Sequence, residues 1–395
     1  MNPPERSRAP AVPDARLQFV ADALHTLTAQ DRYRSLSERP AVSTLAGRVG
    51  AISFCSNDYL GLANDPRVIE GARQALNAYG AGAGSARLIA GELSLYRRLE
   101  RALAEWLGFE DALLFNSGYH ANMALASGLM DRGGVICSDA LNHASMIDGC
   151  RLSRAQTRVY AHNQVAALEQ ALQDAGPGPK LVLTEGLFSM DGDVSPLEQV
   201  RAVALRHGAL LAVDDAHALG CLGDGGRGLA WAGTLGAADV LVGTFGKAFG
   251  SAGAFVAGPA CVRELLINRA RPFIFTTGPA PASVGAALAA LEVMQHDPTP
   301  RERLRAHTQR VRESLTQAGV SLGESVAHII PVMVGTEQRA LALSAWLLEQ
   351  GLDLRAIRPP TVPEGTCRLR LTLSAGHTEA QLDRLVERLI IGLKR

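Results

Sequence analysis

An α/β fold built on a central, mostly parallel sheet is what this sequence predicts, and two observations predict it. Between residues 51 and 281 short apolar runs alternate with helical periods, and several of those runs end directly in polar residues. The chain is long enough for a layered core, with 395 residues of which 47% are hydrophobic and 20% charged, a composition that excludes global disorder. Lys and Arg together number 39, as do Asp and Glu, for a formal net charge of zero. Proteins that track nucleic-acid phosphates carry a basic excess, so nucleic acid is not an expected partner.

The elements follow in order. Residues 1–50 combine a Pro-rich polar lead, an amphipathic helical stretch over 17–28 and the basic segment Asp31-Arg32-Tyr33-Arg34; they form an arm, not a domain. Strands are expected at 112–115, 135–138, 181–184, 210–214, 240–244 and 252–256, all within a large α/β domain spanning 51–281. From 282 to 395 come two long helical patterns, apolar runs at 329–334 and 369–373, and an amphipathic helix over 379–393. These make a smaller α+β domain.

No signal-peptide core follows Met1, and the apolar stretch 284–294 is too short to span a bilayer and contains Glu292. The six cysteines include no C-x-x-C pair, which predicts reduced thiols in a cytoplasmic protein without membrane partners. Several motifs fail on inspection. The segment from Gly80 to Ser85 lacks a complete G-x-G-x-x-G, and Gly246-Lys247 is followed by Ala248 where a P-loop needs Ser or Thr. There is no G-x-S-x-G and no H-E-x-x-H. Asp214, Asp215 and His217 come with no further ligand in their segment, so no metal is expected.

What remains is a set of strand ends: Thr184-Glu185-Gly186 with Ser189, Asp214-Asp215-Ala216-His217, and Thr244-Phe245-Gly246-Lys247. In open parallel sheets, ligands sit beyond the carboxyl ends of the strands. A carboxylate at one such end and a lysine beyond another is what pyridoxal phosphate chemistry needs, the acid keeping the pyridine nitrogen protonated and the amine forming the Schiff base. A free lysine is protonated near neutrality, but one in an apolar pocket, as between Phe245 and Phe249, can lose its proton. For the cofactor's phosphate, Asn116-Ser117-Gly118-Tyr119 precedes a helical run, so Gly118 and Tyr119 can offer backbone amides and Thr244 a hydroxyl. His143 could lay its imidazole on the ring, or serve structurally.

Five segments carry a family resemblance: Ser56-Asn57-Asp58-Tyr59-Leu60-Gly61-Leu62, Asn142-His143-Ala144-Ser145, Glu185-Gly186-Leu187-Phe188-Ser189-Met190-Asp191-Gly192-Asp193, Asp214-Asp215-Ala216-His217 and Thr244-Phe245-Gly246-Lys247. From about residue 54 onward the sequence resembles the α-oxoamine synthases. These are fold-type I, aspartate aminotransferase-like enzymes that use pyridoxal 5'-phosphate. The resemblance implies Lys247 as the Schiff-base lysine, Asp214 on the pyridine nitrogen, His217 on the ring's phenolic oxygen and His143 stacked on the ring. Gly118, Tyr119, Glu185, Ser189 and Thr244 would complete the cofactor pocket. Thr276 and Thr277 would reach the phosphate of a neighbouring subunit, which implies a homodimer with shared sites.

The tail, Ala356-Ile357-Arg358-Pro359-Pro360-Thr361-Val362-Pro363 with Arg368-Leu369-Arg370-Leu371-Thr372, resembles the branch of the family serving biotin synthesis. That implies L-alanine and a pimeloyl thioester as substrates, the acyl group carried by coenzyme A or acyl carrier protein. Arg358 would hold the substrate carboxylate, with Thr361, Asn57, His143 and Arg34 as further substrate contacts. Other readings stay open: a family member joining glycine or serine to a different acyl thioester, a non-catalytic partner subunit, or an aminotransferase sharing the lysine and aspartate.

Overall fold

The computed structural model describes residues 14–30, 32–39, 43 and 45–395; the lead at 1–13 and Asp31 lie outside the described residues. In chain order the central sheet holds β2 (Asp111–Phe115), β3 (Val135–Asp139), β4 (Gln156–Tyr160), β5 (Lys180–Glu185), β6 (Ala209–Asp214), β7 (Val240–Thr244) and β8 (Ala254–Gly258). In space they run β2-β8-β7-β6-β5-β3-β4. All neighbours are parallel except at β8, which runs antiparallel to both β2 and β7. Alternate strand residues feed two cores: Leu114, Val182, Val213 and Leu241 face one, while Leu113, Leu183, Ala212 and Val242 face the other. A sheet covered on both faces explains why these strands read as continuous apolar runs.

Two differences from the sequence reading have physical causes. β4 was not among the expected strands because it lies at the sheet edge, where Gln156, Thr157 and Val159 are exposed and no apolar run is needed. The expected strand at 252–256 begins two residues later, at Ala254, because Gly253 has φ +112°, outside the range of a strand residue with a side chain. Phe245 N donates to Gly253 O at 2.9 Å and Ser251 N to Phe245 O at 2.8 Å. Residues 245–253 therefore form a tight return between antiparallel β7 and β8, and Lys247 stands within it.

The C-terminal portion has an antiparallel sheet ordered β11 (Ala356–Ile357), β12 (Cys367–Thr372), β9 (Ile329–Gly335). Helices Pro281–His296 and Thr299–Gln317 precede it, and Glu379–Leu393 follows. The last helix starts with a capping box: Thr378 Oγ1 accepts from Gln381 N at 3.3 Å, and Thr378 N donates to Gln381 Oε1 at 3.0 Å. Two short strands, β1 (Ile52–Ser53) and β10 (Leu352–Asp353), pair in parallel. Next to them Thr372 Oγ1 donates to Phe54 O at 3.0 Å, Ser374 Oγ to Asp58 O at 2.7 Å and Ala375 N to Tyr59 O at 2.8 Å. The N-terminal helix Gln18–Ala29 buries none of its residues. Among the described residues no helix is long and apolar enough to cross a membrane.

An ionic clamp stabilises the loop after β5. His162 Nδ1 lies 2.9 Å from Asp139 Oδ1 and its Nε2 2.8 Å from Asp193 Oδ2. Burial works against the imidazolium, yet the two carboxylates outweigh it and push His162 up to about 10. Since the folded value exceeds the ordinary 6.5, the charged clamp contributes fully below that pH and fades as pH rises toward 10. His162→Gln is therefore expected to lower the melting temperature most at pH 6. Thermal unfolding of both proteins across pH 6–10 should show the gap narrowing; a gap that does not change with pH would remove the charge from this role.

Candidate active site

Three parallel strands deliver their last residues to one place. In the sheet register Glu185 of β5 pairs with Asp214 of β6, and β7 ends beside them at Thr244. A cavity of about 490 Å³ opens beyond these ends, lined by Glu185, Asp214, Thr244 and Lys247 together with Asn57, Gly118, Tyr119, His143, Ser189 and His217. Residues drawn from six separate stretches of sequence thus share one pocket, at the sheet edge where ligands collect.

Asp214 is buried and held rigidly. Its Oδ2 accepts from Asn122 Nδ2 at 2.7 Å and its Oδ1 from Ala216 N at 3.0 Å. Lys247 Nζ donates to Thr244 Oγ1 at 3.1 Å. Burial pushes the lysine below its ordinary value; Asp214 and Glu185 pull it back up, and Arg370 adds to the depression. The buried Glu185 is pushed up to about 8 by desolvation, then by Asp214, although its carboxylate accepts from His143 N at 2.7 Å and Ser189 N at 3.3 Å. It is a strut joining the two loops that carry His143 and Ser189. His143 is lowered by partial burial, with Asp214 opposing and Lys247 assisting. His217 is lowered well below the usual imidazole range, first by burial and then by Lys247 and Arg370. Both imidazoles are neutral near pH 7. Asp215 plays a different part: it is fully buried outside the cavity lining and accepts from Leu229 N at 2.6 Å and Ala230 N at 3.2 Å.

These residues suit pyridoxal phosphate. The helix Gly118–Leu129 begins at the cavity; Ser117 Oγ accepts from His120 N at 3.2 Å, which leaves the N–H groups of Gly118 and Tyr119 without an intrahelical acceptor, as an anion requires. Gly118 permits the approach: a Cβ there would lie 2.6 Å from Thr244 Cγ2. Asn116 and Asn122 also line the cavity, and the Oδ1 of each is buried without a hydrogen-bond partner among the described residues. A carboxylate for a ring nitrogen, an amine for an aldehyde and donors for a phosphate are all present in one volume. Gly118→Ala is expected to weaken pyridoxal phosphate binding about tenfold by displacing Thr244. Absorbance titration of the apoprotein measures this, and an unchanged Kd would dissociate the helix start from the phosphate.

Five expected contacts lie outside the cavity lining. Arg34 is exposed, and Arg358 and Thr361 share a turn before β12, half-buried and exposed respectively. Thr276 and Thr277 meet the site through Asn116, whose Nδ2 donates to Thr276 Oγ1 at 3.3 Å and Thr277 O at 2.9 Å. Conversely, the cavity contains residues not singled out from sequence: Arg370, Asn122, Ser145 and Asn116. Arg370 had a signal, since it alternates with Leu369 and Leu371 on β12, a strand buried on both faces. An arginine in such a strand needs acceptors, and its Nη1 finds Asn57 Oδ1 at 3.2 Å.

The sequence matches the aminotransferase class I and II family over residues 49–389. It is 48% identical to the 8-amino-7-oxononanoate synthase of Anaeromyxobacter dehalogenans strain 2CP-1 over 373 residues, covering 93% of each protein. A structure of serine palmitoyltransferase with pyridoxal phosphate superposes with a TM-score of 0.89 at 31% identity, covering 97% of this chain and 98% of that one. The 8-amino-7-oxononanoate synthase of Francisella tularensis gives a TM-score of 0.75 at 28% identity, over 87% of this chain and 98% of that one. The protein belongs to the aminotransferase class I and II family and, within it, to the α-oxoamine synthases, pyridoxal phosphate-dependent C-acyltransferases.

Proposed function

We propose that this chain joins L-alanine to a pimeloyl thioester, releasing carbon dioxide and a free thiol and forming 8-amino-7-oxononanoate for biotin synthesis. The observation that carries the chemistry is the presence of the Lys247 amine and the Asp214 carboxylate in one cavity, at the ends of neighbouring strands. The substrate pair is supported by the 48% identity to an 8-amino-7-oxononanoate synthase over nearly the whole chain. Fold likeness does not choose between substrates, because serine palmitoyltransferase superposes with a higher TM-score than the Francisella tularensis synthase, 0.89 against 0.75.

Pyridoxal phosphate, when bound, supplies an electron sink for charge left on the α-carbon of an amino acid. Asp214, held by Asn122 and Ala216, is placed to keep the proton on the pyridine nitrogen that makes the sink effective. Lys247 would hold the cofactor at rest, and its lowered proton affinity suits its amine to take the α-proton of alanine. His143, neutral and lining the cavity, would lie against the cofactor's ring and shield that proton transfer from water. Lys247 Nζ returns a proton to the α-carbon after the new carbon–carbon bond has formed, the carbon–sulfur bond has broken and carbon dioxide has left.

Among the described residues Arg370 is the arginine that lines the cavity, and we assign the amino-acid carboxylate to it in preference to Arg358. Arg358, Thr361 and Arg34 remain candidates for the acyl substrate. The active unit on this reading is a cytoplasmic homodimer. Phe275, 69% exposed next to Thr276, and Ile89, 80% exposed, supply apolar surface for a second copy.

The test is thiol release by the reconstituted protein from pimeloyl-coenzyme A with L-alanine, alongside glycine with acetyl-coenzyme A. Release from the first pair alone is expected. Release from the second alone would overturn the substrate assignment and leave the fold and cofactor. Repeating the assay with pimeloyl on acyl carrier protein distinguishes the two carriers.

A further inference from the structure

Behind His217 stands a hydrogen-bonded chain with no part in the proton transfers at alanine. Tyr59 is fully buried, and its hydroxyl lies 2.7 Å from His217 Nδ1 and 3.0 Å from Asn57 Oδ1. Arg370 Nη2 donates to the same hydroxyl at 3.4 Å, while Arg370 Nη1 donates to Asn57 Oδ1 at 3.2 Å. The rings of His328 and Tyr59 pack edge to face, with centroids 4.1 Å apart.

Counting protons narrows this chain to two arrangements. A phenol carries one proton and two acceptor sites, a guanidinium only donates, and a neutral imidazole carries one N–H. Both partners are neutral: burial pushes Tyr59 up to about 12 and depresses His217. In one arrangement Tyr59 donates to Asn57, so His217 must be protonated at Nδ1, with the positive end of its dipole turned toward the Arg370 guanidinium. In the other, Tyr59 donates to a bare Nδ1, and the negative end of the imidazole faces Arg370. Two features favour the second. A separation of 2.7 Å suits a hydroxyl donor, whereas N–H···O bonds centre near about 2.9–3.0 Å, and the Arg370 guanidinium donates to both Tyr59 Oη and Asn57 Oδ1, so it bridges these two oxygens, 3.0 Å apart, without a proton between them.

We propose that Tyr59 is a positioning residue whose hydroxyl donates to His217 Nδ1, fixing the tautomer protonated at Nε2 and presenting an N–H donor to the cavity. His217 can then donate to an anionic oxygen of the bound cofactor without itself becoming charged. The inference rests on the reading that His217 faces the cofactor, and it is independent of which acyl thioester is used.

The test is a long-range nitrogen–proton correlation spectrum of the full-length apoprotein labelled with 15N-histidine, with His217 identified by its loss in His217→Asn. The expected result is Nε2–H in the wild type. In Tyr59→Phe the His217 signals should move toward the other tautomer, the holoenzyme absorption band should shift, and pyridoxal phosphate affinity should fall about 3- to 10-fold. A wild-type His217 protonated at Nδ1 overturns the proposal, as does an unchanged tautomer in folded Tyr59→Phe. If that variant does not fold, the wild-type spectrum alone decides. A holoenzyme band unmoved by His217→Asn would overturn the cofactor contact and leave the tautomer standing.

Discussion

Lys247→Ala is expected to lower thiol release by roughly 10³-fold or more, because in the proposed mechanism one substitution removes both the covalent anchor and the proton carrier. Binding of pyridoxal phosphate should become reversible on dilution, and the absorption of the protein-linked cofactor should disappear. The apoprotein should be no less stable than wild type, since the fold already disfavours the buried ammonium and Ala removes that burden. Thermal unfolding alongside the assay separates these effects. Lys247→Arg should not restore activity, because a guanidinium stays protonated and cannot serve as base or as Schiff-base nitrogen. Turnover by Lys247→Ala within tenfold of wild type would place the chemistry elsewhere in the cavity.

Asp214→Asn should come next in effect, lowering turnover by about 10²-fold or more and shortening retention of the cofactor. The substitution keeps the shape and one acceptor oxygen for Asn122 Nδ2 or Ala216 N but loses the charge. Every unit by which the ring nitrogen's proton affinity falls costs about 1.4 kcal/mol of its protonated form. The decisive readout is a deficit in turnover that persists at saturating pyridoxal phosphate, which separates tuning of the ring from simple retention. Near-normal turnover under those conditions would remove Asp214 from its assigned place.

How far the site could be read before the structure depended on how local its signals are. Glu185, Asp214 and Lys247 announce themselves because each follows a buried apolar run, and the register of β5, β6 and β7 brings those ends together. The helix start at Gly118 was visible for the same reason, a strand followed by a helical period. Asn122 was not, since its only distinction is a contact with Asp214 made across space from inside a helix. Arg370 illustrates a different limit. Its strand was expected from an apolar run, but which of the arginines near it would face the cavity depends on pairing with β9 and β11, and no short window of sequence encodes that. β4 lay hidden because an edge strand tolerates polar residues on its open side. Arg34, Thr276 and Thr277 lie outside the cavity lining: Arg34 stands in the N-terminal arm, and the resemblance that pointed to the two threonines implied the phosphate of a neighbouring subunit, which a single chain's cavity would not gather.

The stitching of residues 52–59 to residues 352–375 bears on how the protein is born. Asn57 and Tyr59 are synthesised early, yet their partner Arg370 leaves the ribosome some three hundred residues later. The seven-stranded sheet, complete by Gly258, can form while that wall of the pocket is still open. Such distant closure is slow. Nascent chains halted before β12 should therefore own a nearly finished sheet and no competent pocket, which makes the capture of pyridoxal phosphate a late event and a direct reporter of completed folding.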